Sequence, residues 1–327
     1  MSADHQALLD RIIAAIENDT LVLPTLPDIA IKIQNLIDDP NGTAEQIVKA
    51  LAGDPVISAQ LIKAANSAAY ADKRPVENVR GAVSRLGYRQ LRNLVMMLTM
   101  NKMFYAKNPT LNKYMKASWQ HSREVAAMSY VLALRQPHLS PDQAMLAGLV
   151  HEIGILPLCL HIETSQMQIS ENALEELFQK CGSTIGTKLL QKWNFPNDLI
   201  GVIGEHEKLE RNSICMPLPD YADIISIANL QEDQACAKVI EWQHVAAVKR
   251  LGLSEEECQN FIALYAARIA TIAEMLGITT SNSPTDIASS SPSAPEKKHN
   301  TSHTSHEKAQ SGVLSSLRSA LTSFWQK

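Results

Sequence analysis

Cysteine is scarce in this chain: 327 residues hold five, Cys159, Cys181, Cys215, Cys236 and Cys258, an odd number with no Cys-x-x-Cys pair. That pattern argues against a disulfide framework and against a zinc ribbon, and each thiol reads as a small buried hydrophobe in a reducing cytosol. Aromatic residues reach only 5% and glycines number only 13. Both shortages argue against an all-β sandwich and a glycine-rich α/β nucleotide fold, since strands draw on aromatic and β-branched residues. Long apolar runs are missing as well. The uncharged stretch Leu94 to Met100 falls far short of the roughly 20 residues a membrane span needs. The opening Met1-Ser2-Ala3-Asp4-His5 has no basic region followed by an apolar core, so no secretory signal is read there. The expectation is a soluble, cytoplasmic protein.

Hydrophobic residues at 45% and charged residues at 20% are ordinary globular usage. The length corresponds to about two domains at roughly 100–200 residues each. Ala, Leu, Ile, Gln and Glu supply a helical balance, and apolar spacing near 3.6 residues recurs along the chain. Leu8, Leu9, Ile12, Ile13 and Ile16 predict an opening helix. Asp28 opens a second helix that ends at Asp38-Asp39-Pro40-Asn41-Gly42. Thr43 with Gln46 forms a capping box for 44–52, and Asp54-Pro55 is an N-cap followed by proline at the first helical position. Further helices are expected over 76–86, 89–104, 114–135, 144–150 with Ser140-Pro141-Asp142 as its cap, 173–180, 183–193, 198–207, 221–230, 244–250 and 254–276. Strand-like alternation is absent almost throughout.

The net charge of −4 conceals an asymmetry. Between Lys73 and Lys116 stand ten basic residues and one acid, Glu77, which leaves −13 for the rest of the chain. Arg85, Arg89 and Arg92, at i, i+4 and i+7, would share one face of a continuous helix, where guanidinium groups could meet an anion. The same face could equally be solvated, or pack on the acidic remainder. No sequence-specific nucleic-acid motif accompanies it.

After Gly277 the composition changes. Residues 279–312 hold nine Ser, five Thr and three Pro, with Ile287 as their one large aliphatic side chain, and read as a disordered linker. The final residues, 313–327, segregate again. At 100° per residue Val313, Leu314, Leu317, Ala320, Leu321, Phe324 and Trp325 fall within an arc of about 140°, the mark of an amphipathic helix. On a flexible leash, Leu314, Leu317, Leu321, Phe324 and Trp325 are candidates for lying on a membrane surface, docking in a partner's groove or packing on the protein's own core.

Histidines beside carboxylates carry the chemical signal. His151-Glu152 interrupts an apolar run from Leu146 to Leu156, His121 lies in Trp119-Gln120-His121-Ser122, and His206 lies in Gly204-Glu205-His206-Glu207. A charged pair in apolar surroundings is costly unless hydrogen bonds or a metal satisfy it.

With these residues in place the chain resembles the HDOD family, a signalling branch of the HD phosphohydrolase superfamily, over about 23–276. The matching segments are Leu23-Pro24-Thr25-Leu26-Pro27, Gly53-Asp54-Pro55, Ala65-Asn66-Ser67-Ala68, Arg85-Leu86-Gly87, Trp119-Gln120-His121-Ser122, Ala147 to Gly154, Lys192 to Pro196, and Tyr221-Ala222-Asp223 through Asn229. The resemblance implies an all-α fold: an N-terminal helix (1–22), an N-terminal helical subdomain (23–108) and a degenerate HD-like helical subdomain (109–278), followed by the linker (279–312) and the amphipathic helix (313–327).

Catalytic HD proteins hold one or two divalent metals through a His, a His-Asp pair and a later Asp. Carried over, these become His121, His151 with Glu152 in place of Asp, and Asn229 in place of the last Asp. Gly182 falls where two-metal relatives have a further His, and of the downstream His pair only His206 remains, beside Glu207. Losing a carboxylate weakens a site for hard cations. The expectation is therefore a non-catalytic, bacterial-type regulatory module that binds a ligand or a protein partner and needs no cofactor, tethered by its last helix. The alternative is a metal-dependent phosphohydrolase acting on a nucleotide or other phosphate ester, with a divalent ion at His121, His151, Glu152 and His206.

Overall fold

Capping signals decide where most of the helices begin. In the computed structural model, which describes residues 20–211 and 218–278 apart from 71 and 73, and also 11, 14, 15, 17 and 18, every regular element is helical. No strand occurs among the described residues. Helix α1 spans Asp28–Asp38, α2 Ala44–Ala52 and α3 Pro55–Ala65. The Thr43 hydroxyl accepts from the Gln46 amide while the Gln46 side chain accepts from the Thr43 amide, completing the expected capping box. Asp54 accepts from the amides of Val56 and Ile57.

Helix α4 (Val79–Met100) is one element with a break inside it: Gly87 has φ +72° and ψ 167°. A residue with a Cβ is strained at such a φ, so the glycine permits a sharp redirection between two helical arms. α5 (Pro109–Ala133), capped by Asn108, is buried along most of its length. It packs on α6 (Pro141–Val150). Ser140 precedes α6 but makes no side-chain cap; its amide instead donates to the Tyr221 hydroxyl.

The expected apolar helix around His151 is two helices. α6 ends at Val150, a turn carries His151 to Gly154, and α7 (Ile155–Thr164) follows. Together 141–164 are long and apolar enough to cross a membrane, which a count of uninterrupted apolar residues overlooks. The segment is mostly buried in the protein's interior. Conversely, the two helices expected over 173–193 are a single α8 (Glu171–Lys192). Gly182 does not break it, because it serves a crossing: a Cβ on Gly154 would stand 2.0 Å from the Gly182 carbonyl oxygen, so α8 and the start of α7 touch through backbone.

The remaining elements are α9 (Asn197–Glu205), α10 (Tyr221–Glu232), α11 (Gln234–Val239), α12 (Ala246–Leu251) and α13 (Glu255–Met275). One hydrophobic core runs from Leu21 to Leu276 through both expected subdomains, so the halves fold around shared apolar contacts. The expected helix over 1–22 lies largely outside the described residues. The linker 279–312 and the helix 313–327, with Leu314, Leu317, Leu321, Phe324 and Trp325, lie wholly outside them. Cys159, Cys181 and Cys258 are free, buried thiols, and Cys215 is not among the described residues.

Candidate functional site

Three buried histidines meet where α5, the turn after α6 and the end of α9 converge: His121, His151 and His206 are 2%, 1% and 4% exposed. Close approach of α5 to α6 makes this possible. Gly148 faces α5 so tightly that a Cβ there would stand 2.6 Å from the Cα of Ala126.

The rings are held by one nitrogen each. His151 Nδ1 lies 2.7 Å from the Gly148 carbonyl and His206 Nδ1 2.9 Å from the Val202 carbonyl. Because a carbonyl only accepts, both Nδ1 atoms carry hydrogen, and in the neutral ring this leaves the lone pair on Nε2. His121 Nδ1 lies 2.9 Å from a Glu232 carboxylate oxygen, which orients the third ring in the same sense. Burial pushes His151 well below its ordinary 6.5. Glu152 raises it again, the neighbouring His121 and His206 add to the depression, and the Gly148 carbonyl opposes them.

The outward nitrogens then face one another. His121 Nε2 and His151 Nε2 are 3.1 Å apart, and Glu152 Oε1 lies 3.8 Å from the first and 3.9 Å from the second. A triangle with these edges has its centre about 2.1 Å from each corner, the length of a zinc–nitrogen or zinc–oxygen bond. Two inward lone pairs at hydrogen-bond distance repel unless a shared proton or a cation lies between them. His206 stands edge-on to His151, ring centroids 5.1 Å apart, and its buried Nε2 has no hydrogen-bond partner. The donor set therefore fits a divalent transition metal, with imidazole ligands fixed by carbonyl and carboxylate partners in the usual manner. His121, His151 and Glu152 form the tight group, and His206 flanks it.

Glu232 was not legible in the sequence as a site residue. It lies one helical turn beyond Asn229 on α10, at i+3, and that spacing from the family's last ligand position is the only signal that could have found it. Glu124, on α5 one turn after His121, faces the same region: burial raises its carboxyl, the Gln120 side chain lowers it, and Glu232 raises it. Glu124, Glu152 and Glu232 thus make the surroundings of the histidines acidic.

A buried charge network positions α10. Asp223, 1% exposed, takes Arg250 Nε at 2.8 Å and Arg211 Nη1 at 3.0 Å. Arg211 also grips Asp220, which with Asp223 forms the capping box at the start of the helix. Ser226, one turn on, donates to the His206 carbonyl, linking α10 to the end of α9.

The arginine triplet is not one face. Gly87 turns the chain between Arg85 and Arg89, so the i, i+4, i+7 geometry of a continuous helix does not apply. The Arg85 guanidinium is spent on the carbonyls of Ala65 and Arg74 and on the Asn66 side chain. Arg92 pairs with Asp38 on α1, and Arg89 and Arg92 line a cavity from which Arg85 is absent.

Comparison with known proteins agrees with this architecture. The profile of the HDOD domain matches residues 23–209. The structure of a protein named "Putative metal-dependent phosphohydrolase" from Shewanella amazonensis SB2B superposes with a TM-score of 0.71 at 25% identity, covering 84% of this chain and 100% of that one. An HDOD domain protein with unknown function from Geobacter sulfurreducens gives 0.56 at 20% identity, covering 83% and 98%. An uncharacterised Treponema pallidum protein is 25% identical over 219 residues, 62% of this chain and 41% of its own length, so this chain spans less than half of that relative.

Proposed function

This chain belongs to the HDOD domain family, and from that premise we propose that it is a regulatory module acting by binding a ligand or protein partner rather than by turnover. The observation that carries this reading is the acidic setting of the site. Glu152 and Glu232 lie beside the buried histidines, with Glu124 near them held toward its neutral form, and ionised carboxylates repel the anionic phosphate esters that a hydrolase must admit. Two further features support it. Asn229 supplies no charge where catalytic relatives have Asp, and the place of a second-metal histidine is occupied by Gly182, whose carbonyl packs against Gly154.

His121, His151 and Glu152 would hold a single divalent metal, with His206 at its flank. When bound, such an ion acts as a Lewis acid that lowers the pKa of coordinated water. In the regulatory reading its main effect is to pin α5, α6 and α9 together. Glu232 keeps the His121 proton on Nδ1, and the Gly148 and Val202 carbonyls do the same for His151 and His206.

The fit of the Nε2–Nε2–carboxylate triangle to a metal favours a second reading, a metal-dependent phosphohydrolase, and the name of the Shewanella relative points the same way. Elemental analysis of the purified full chain, with phosphodiester hydrolysis assayed in Mn²⁺ and Fe²⁺, separates the two. Bound metal without turnover is expected. Turnover that His151→Ala abolishes would overturn the regulatory reading. Residues 313–327 are proposed as a tether to a membrane surface or to a partner, which would make a protein proposed to be cytoplasmic peripherally associated; their apolar arc supports that reading.

A further inference from the structure

A second site lies away from the histidines, where the two halves of the chain meet. α1, the second arm of α4, α6 and the segment from Lys192 to Leu199 enclose a cavity of about 650 Å³, within the size range of small-ligand sites. Its charged lining is Arg89, Arg92 and Lys192 against one carboxylate, Asp38, and Asp38 is already paired with Arg92. The cavity is therefore positive within a chain whose net charge is negative.

Two hydrogen-bond donors in its wall lack partners. Arg92 Nε and Asn93 Nδ2 are buried without an acceptor, and Asn93 is only 5% exposed. Orphaned buried donors are uncommon and each costs stability. Both residues line the cavity, and because the two orphaned atoms are themselves shut off from solvent, a ligand's acceptor oxygens would first meet the exposed Arg89 and the partly exposed Arg92 guanidinium groups. The rest of the lining includes an apolar and partly aromatic set: Met96, Leu146, Trp193 and Phe195. Trp193 and Phe195 are fixed there because the Trp193 indole donates to the Pro24 carbonyl at 3.0 Å, which also ties the 23–27 loop across the end of α8.

We propose that this interdomain cavity binds a nucleotide, its phosphate taken by Arg89, Arg92 and Asn93 and its planar base laid against the apolar wall. The proposal deepens the regulatory reading by giving it a ligand site, and it rests on that reading only for its biological use. A molecule held there touches α1 and α4 of the first half and α6 and the 192–199 segment of the second, so binding would clamp the halves against each other.

The test is isothermal titration of the full chain with AMP, GMP, adenosine, guanosine and inorganic phosphate. One nucleotide should bind at one per chain, about tenfold or more tighter than its nucleoside and than phosphate alone, as expected when charge-assisted hydrogen bonds are lost. Arg89→Gln removes an exposed cation, and Asn93→Leu replaces an unsatisfied amide by an apolar group of similar size. Both should weaken binding about tenfold with no fall in Tm. Absence of millimolar binding by either nucleotide would overturn the proposal. So would phosphate binding as tightly as nucleotide, or affinity unchanged in both variants. Metal content and phosphodiester turnover report on the histidine site, so failure here is distinguishable from failure of the regulatory reading.

Discussion

His121 Nε2 stands 3.1 Å from His151 Nε2, while the Nδ1 atoms of the two rings are committed to Glu232 and to the Gly148 carbonyl. A contact this short between two ring nitrogens needs a shared proton or a cation between them. The histidines come from α5 and from the turn after α6, and only the close crossing of those elements brings them to this separation.

Glu232 would act on a metal through His121, which makes it a positioning residue in the proposed site. Glu232→Ala should weaken metal affinity by about 10–100-fold, with Glu232→Gln restoring part of the loss because its carbonyl still accepts from Nδ1. Competition with a chromogenic chelator checks this, with circular dichroism as the control for folding.

Gly148→Ala places a methyl group 2.6 Å from the Ala126 Cα, where backbone must move. The expected destabilisation is about 1–3 kcal/mol, accompanied by weaker metal binding as α6 shifts away from α5. Urea unfolding gives the first quantity and chelator competition the second. Unchanged values for both would contradict the close crossing.

Arg250→Met leaves Asp223, buried at 1% exposure, with Arg211 as its remaining guanidinium. Breaking a buried pair in this way costs about 3–5 kcal/mol, read as a shift in the urea midpoint. Since α10 also carries Ser226 and Glu232, the variant should lose metal affinity along with stability.

The Asp220 carboxyl supplies a pH dependence with a defined sign. Burial alone would raise it; the Arg211 guanidinium and the Asp223 amide outweigh burial and hold it below its ordinary 3.8. The unfolded chain thus takes up this proton first as the pH falls. The stability it contributes is complete above the unfolded value and is lost as the pH drops through the folded one. Asp220→Asn keeps a good helix cap but removes the titration, so its Tm should fall less steeply than that of the native chain as the pH drops below about 4.

Removal of residues 313–327 should abolish flotation of the protein with anionic liposomes and leave the thermal unfolding of the remaining helices unchanged. Flotation equal to that of the full chain would show that the apolar arc is not a membrane tether.

Much of this was legible in the sequence. Thr43 with Gln46 and Asp54 with Pro55 mark helix starts through local hydrogen bonds, so a reading of adjacent residues finds them; the start at Asn108-Pro109 lies five residues before the one expected at 114. The His121, His151 and Glu152 assignments followed from family resemblance, and the structure brings those three together. Reading failed where a residue's role depends on a distant neighbour. Gly182 looked like a helix break and is a helix crossing; Gly87 looked like a boundary and is a bend that parts Arg85 from Arg89 and Arg92. Glu232 lies beyond the helix end expected at 230, is the last residue of α10, and orients His121.

The sequence by itself determined the helical class, the helix starts and the histidine–carboxylate character of the site, because caps, apolar periodicity and residue type are local properties. Only the tertiary structure decided that three histidines converge in an acidic, buried place, that Arg85 is spent on backbone carbonyls, and that Arg92 and Asn93 line a cavity between the halves. Those facts depend on interhelical distances set by glycine contacts and the shared core, and such distances follow from packing among residues far apart in the chain.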